Sequence, residues 1–167
     1  GKVVVEDGIT LTIEPGTIIK GQKGTGSLAS ALIVARGAQI MAEGTSEKPI
    51  IFTSIDDNIV VGQQAVTNLN ESNNGLWGGV LILGYAKGSF KGDVTEVQIE
   101  GIPAGDTFGL YGGDDDDDNS GVFSYVSIRH GGALIGEGNE INGLTLGAVG
   151  RGTVIENIEV VANFDDG

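Results

Sequence analysis

Apolar and polar positions alternate along this chain in runs of three to five residues, and glycine-rich turns separate the runs. Leu11-Thr12-Ile13, Thr17-Ile18-Ile19, Ala31–Ala35, Ile50–Thr53 and Val80–Leu83 open the series. Val94–Ile99, Tyr125–Ile128, Leu144–Leu146, Thr153–Ile155 and Ile158–Val160 continue it. A period of two with many β-branched residues predicts strands, shorter than those of an ordinary sandwich. No stretch sustains a 3.6-residue period. The nearest, Gln63–Asn70, is brief and polar and reads as a loop.

An internal echo points to the architecture. Leu11–Ile19 maps onto Leu32–Ile40 at an offset of 21, with Gly16 on Gly37, so each unit reads strand, glycine turn, strand. A looser echo sets Tyr125-Val126-Ser127-Ile128 against Asn157-Ile158-Glu159-Val160, with Leu144-Thr145-Leu146 between them. Repeats built only of short strands and turns stack into a solenoid, each coil burying its inward residues on its neighbours. The fold expected is all-β, a right-handed parallel β-helix (β-solenoid) of six or seven coils. Its core should hold Leu11, Ile13, Leu32, Val34, Ile40, Val126, Ile128, Leu144, Leu146, Ile158 and Val160. The leucine-rich repeat shares this period, but its Leu and Asn spacing is missing.

Composition narrows the function classes. The chain has 167 residues, enough for one domain with a sizeable core. Its 30 glycines follow no three-residue period, which excludes collagen. No run is apolar and long enough to span a bilayer. A net charge of −14 repels phosphates and excludes nucleic acid as a partner. The charge is lopsided: residues 1–84 carry eight acids and five bases, residues 85–167 fifteen and four. Without cysteine there is no disulfide, thiolate metal site or cysteine nucleophile. The chain starts and stops inside strand-like sequence with no capping segment. It therefore reads as a single β-helix domain, 1–167, cut from a longer chain, with an acidic Gly/Asp loop at 111–121.

Several motifs follow one another in a familiar order: Leu11–Thr17, Ala42–Thr45, Lys48–Ser54, Gly75–Val80, Ser127–Gly132 and Asn163–Gly167. Together they resemble secreted right-handed parallel β-helix proteins of Bacteroidetes-type bacteria, which are large surface proteins and substrates of type IX secretion. The resemblance covers nearly the whole chain. It implies an extracellular or cell-surface location and carries no agreed biochemical activity.

The sharpest local feature is Gly112-Gly113-Asp114-Asp115-Asp116-Asp117-Asp118-Asn119-Ser120-Gly121. Adjacent carboxylates repel unless a cation or open solvent relieves them, and oxygen ligands on a flexible loop suit Ca²⁺. Asp114, Asp115, Asp116, Asp117, Asp118 and Asn119 are the candidate ligands, with Asp115, Asp117 and Asn119 first. Asp115-x-Asp117-x-Asn119 starts like an EF-hand loop, but Ser120 and Val126 occupy the positions that need Gly and Glu. The plainer alternative is a solvated loop that keeps the surface soluble.

Other candidates are weaker. His130 is the only histidine, so a zinc site is disfavoured, and a coil corner is the plainer role. Arg129 invites a lyase reading, since β-helix polysaccharide lyases use Arg or Lys near Ca²⁺ to abstract a proton. Asp165 and Asp166 are adjacent, so on a strand they face opposite ways and read as a turn rather than a hydrolytic pair. Trp77, Tyr85, Phe108, Tyr111, Phe123 and Tyr125 could form a sugar-stacking platform where exposed.

The reading that follows is a non-catalytic extracellular β-helix module — a spacer, adhesin or fibre-forming segment — with Ca²⁺ as its candidate stabiliser. The alternatives are a carbohydrate-binding β-helix or a lyase-like enzyme acting on an extracellular glycan. Partners expected are a second copy stacked end to end, further coils of the same chain, or surface glycans.

Overall fold

A computed structural model describes residues 1–65, 68–136 and 139–167, with the side chains of 135, 136, 139 and 140 excluded. The chain winds through four coils of short strands. Coil 1 holds β1 (Val3–Val5), β2 (Thr10–Ile13) and β3 (Ile18–Gly21). Coil 2 holds β4 (Leu32–Val34), β5 (Gln39–Glu43) and β6 (Ile50–Ser54). Coil 3 begins with β7 (Val80–Leu83) and leaves the helix for a long excursion. There β8 (Val97–Gln98) pairs antiparallel with β9 (Leu110–Tyr111). The coil resumes in β10 (Gly121–Arg129), and an antiparallel pair, β11 (Leu134–Gly136) and β12 (Asn139–Glu140), follows it. Coil 4 consists of β13 (Leu144–Gly147) and β14 (Val154–Val161).

Three parallel faces result. The first is β1-β4-β7-β13. The second stacks β2, β5 and the first halves of β10 and β14; the third stacks β3, β6 and their second halves. The fold is therefore all-β and a parallel β-helix. In place of the six or seven coils expected, the described residues form four, because 55–65, 68–79 and 84–120 leave the coil path and consume length without adding rungs. Those excursions are also why no single repeat length runs through the sequence.

The register corrects the first echo. Leu11 lies on Ile40, an offset of 29, and Leu32 lies on Val3. The 21-residue match compares the second and third faces of coil 1 with the first and second faces of coil 2. What it detects is a shared local unit: Gly16 and Gly37 both turn the chain with left-handed φ, 84° and 78°. The second echo is the true register, with Val126 on Ile158, Ser127 on Glu159 and Ile128 on Val160.

Inward residues form one continuous core. Ile19, Phe52, Ile128 and Val160 stack in register along the third face, as Ile13, Ala42, Phe123 and Ile155 do along the second. Phe52 stacks on Trp77 at 6.3 Å and meets Phe123 at 6.0 Å. Burying one such side chain contributes roughly 1.5–3 kcal/mol. Of the expected core, Leu11, Leu144, Ile158 and Val160 are only partly buried, and Leu146 is exposed. Leu146 shares the inward parity of its partner Ile82, but among the described residues no strand pairs with β13 on its other side.

The middle of the first face, β4 and β7, is buried on both sides. Val80 and Ile82 join the main core, while Leu81 and Leu83 join a second cluster with Ile99, Ile102, Ala133 and Ile141. That second layer, drawn from the excursion and the coil connection, explains why Val80-Leu81-Ile82-Leu83 lacks polar alternation. Among the described residues helices are limited to 3-10 turns at Gly26–Leu28 and Thr107–Gly109. None is long and apolar enough to cross a membrane.

Candidate functional site

The acidic loop lies against coil 4. Arg151, in the turn between β13 and β14, reaches Asp116 at 3.7 Å and Asp117 at 3.3 Å, and Lys87 reaches Asp116 at 3.5 Å. The loop backbone joins in, for Arg151 N–H donates to the Asp116 carbonyl and Gly152 N–H to that of Asp118. Asp118 points inward and is 8% exposed. Its Oδ2 accepts from the Ser120 hydroxyl at 3.0 Å and the Gly150 N–H at 3.3 Å. Gly150 has no Cβ to spare here, since one would collide with the Asp118 backbone.

The remaining ligand candidates serve the loop itself or face solvent. Asp115 Oδ1 accepts the Asp117 N–H, and Asn119 Oδ1 accepts the Gly121 N–H. Asp114 is exposed and, among the described residues, without an ion pair. The Lys87 N–H bonded to Asp116, with the charges of Lys87 and Arg151, holds the Asp116 carboxyl below its ordinary range. Among the described residues, no three of the chain's His, Asp or Glu side chains come together as a group that could hold a metal ion. The arrangement pins the excursion and coil 3 to coil 4.

A second constellation lies on the outer side of the third face. Register sets Ser127 beside Glu159, and parity turns both outward. Ser127 donates to Glu159 Oε1 at 2.5 Å and accepts from Arg129 Nε at 2.7 Å. Arg129 Nη2 donates to the Gln64 carbonyl at 2.6 Å and lies 3.4 Å from Glu159 Oε1. The Arg129 side chain is only 12% exposed, that of Glu159 59%. A recess of about 420 Å³ opens beside Arg129, His130, Glu159, Asn70 and Glu71. A smaller one, about 230 Å³, holds Thr45, Ser46, Tyr125, Asn157 and Glu159.

His130 sits at the corner ending β10, with φ 60°. Its Nδ1 bonds the Asn73 carbonyl at 2.5 Å and its N–H the Val161 carbonyl, so its place is that of a corner post. Near Asp165 and Asp166 the chain turns: Asn163 Nδ2 donates to both backbone carbonyls, and the Gly143 N–H donates to that of Asp166. The six aromatics do not form one platform. Trp77 and Phe123 are core, Tyr111 packs edge-on to Phe90, and Tyr85 lies under the Arg36 guanidinium at 4.8 Å. Phe108 and Tyr125 are partly exposed on separate elements.

A recess of about 750 Å³ is the apolar lumen above coil 1, lined by Leu11, Ile13, Ile19, Phe52 and Trp77. It is a cross-section of the core rather than a chemical site. Ser127, Gln64 and Glu159 were not among the sequence candidates. The signal for two of them was present, since the second echo places Ser127 on Glu159.

A family model described as a pectate-lyase-like β-helix domain matches residues 1–167. Comparison with curated proteins and with solved structures gives no match.

Proposed function

The chain belongs to the pectate-lyase-like β-helix domain family, and from that premise we propose that it is a non-catalytic module of an extracellular or cell-surface protein. One observation carries the reading. Arg129, which lines the larger recess of the third face, is committed to Ser127, Glu159 and the Gln64 carbonyl. A guanidinium held by a carboxylate and two neutral acceptors is a poor base and a poor clamp for an anionic substrate. The likeness of the motif series to secreted surface β-helices supports the location. End-to-end association with a second copy, or with further coils of the same chain, belongs to the same proposal. It is supported by Leu146, of inward parity yet exposed on coil 4, and the open lumen above coil 1.

Ca²⁺ at Asp114–Asn119 enters this proposal as a stabiliser of the loop. Its support is the uncompensated charge of Asp114 and Asp115, and it would compete with Arg151 and Lys87 for Asp116 and Asp117. A rise in thermal midpoint in millimolar Ca²⁺, lost when Asp115 and Asp117 become Asn, establishes it; no rise discards it. A lyase-like enzyme is the second reading, favoured by the family and by the recess beside Arg129 and His130. Incubation with Ca²⁺ and polygalacturonate or alginate, followed by absorbance of the unsaturated product, separates the two. The module reading expects no product. Turnover that disappears in Arg129→Lys overturns it.

A further inference from the structure

We propose that the corner between the second and third faces binds an uncharged, hydroxyl-rich saccharide. Tyr125 and Asn157 occupy this corner on adjacent coils, one after Ser124↔Glu156 and one before Val126↔Ile158. Tyr125 is 38% exposed, and Asn157 is exposed, its amide without a hydrogen bond among the described residues. Two residues on, Ser127 and Arg129 hold Glu159 through Oε1 and leave Oε2 without a partner among the described residues. A recess of about 230 Å³ thus gathers an aromatic ring, a free amide and an oriented carboxylate oxygen. That is smaller than a drug-sized cleft of ~300–1,000 Å³ and suits a single sugar ring. The larger recess meets it at Glu159 and extends the track past Gln64 and Asn70.

The chemistry selects the ligand. A pyranose offers an apolar C–H face to a ring such as Tyr125 and hydroxyls to amide and carboxylate groups. An acidic sugar needs a cation, and Arg129 is already neutralised by Glu159. Glu71 and Glu159 line the track, on a chain of net charge −14, so polyuronates are repelled. The site therefore disfavours the acidic polymers that the family description evokes. This inference rests on the module reading, in that the recess binds without cleaving.

The test is isothermal calorimetry of the whole chain with cellohexaose, mannohexaose and hexagalacturonate, alongside product analysis. Tyr125→Asn removes the ring while keeping a residue that tolerates a left-handed backbone, and Asn157→Gly removes the amide. The expected result is binding of a neutral hexasaccharide, none of hexagalacturonate, and about tenfold weaker affinity in Tyr125→Asn at unchanged melting temperature. No heat with either neutral sugar, tighter binding of hexagalacturonate, or full affinity in Tyr125→Asn overturns the inference. Cleavage of a bound neutral sugar would instead overturn the module reading and leave the site standing.

Discussion

Tyr125 and Asn157 stack at one corner of adjacent coils, both with left-handed backbone, φ 49° and 53°. At each the chain passes from the second face to the third in a single residue. Coil 1 makes the same passage through Glu14–Thr17, and coil 2 through Gly44–Pro49. A β-branched side chain at such a φ costs about 1–2 kcal/mol, and Asn is among the few residues that adopt it readily. Asn157→Val should lower the unfolding free energy by about that amount, whereas Asn157→Gly should change it little. Urea unfolding measures both.

The acidic run should divide sharply by position. Asp118→Ala leaves the Ser120 hydroxyl and the Gly150 N–H without their buried partner, at a cost of about 1–3 kcal/mol. Asp114→Ala removes an exposed carboxylate from a crowded loop and should be neutral or slightly stabilising. Equal melting temperatures for the two variants would mean that the loop is not held through Asp118.

Part of the acid sensitivity should trace to Asp116. The Lys87 N–H, then the charges of Lys87 and Arg151, lower its folded pKa below the ordinary 3.8. A depressed carboxylate contributes stability that is complete above its unfolded value and is lost as pH falls through the folded one. Asp116→Asn should therefore give a shallower loss of stability below pH 3.8 than the native chain does. Parallel pH profiles from thermal melts would contradict that assignment.

The architecture was legible because alternation and turn chemistry are local. Leu11-Thr12-Ile13 and Gly16 announce a strand and a left-handed turn without reference to anything distant. The coil count was not legible, since it depends on which strands stack, and the excursions after β6 and after β7 break the repeat. That is why Leu11 was matched to Leu32 when its neighbour is Ile40. The acidic loop stood out in composition, but its partner Arg151 comes from the next coil and no spacing rule announces it. Ser127 and Glu159 were reachable through the Tyr125–Ile128 echo once its register was taken literally. Gln64, on an excursion, left no pattern.

On the module proposal, Arg129 serves the fold rather than a reaction. A guanidinium that ties an excursion to coils 3 and 4 should be missed when it is removed, whereas a catalytic arginine is usually dispensable for stability. The deciding measurement is the unfolding free energy of Arg129→Ala against the native chain. The account predicts a loss of about 2–3 kcal/mol, the scale of charge-assisted hydrogen bonds to Ser127, Gln64 and Glu159. Unchanged or increased stability would contradict it and return Arg129 to the chemistry of the recess.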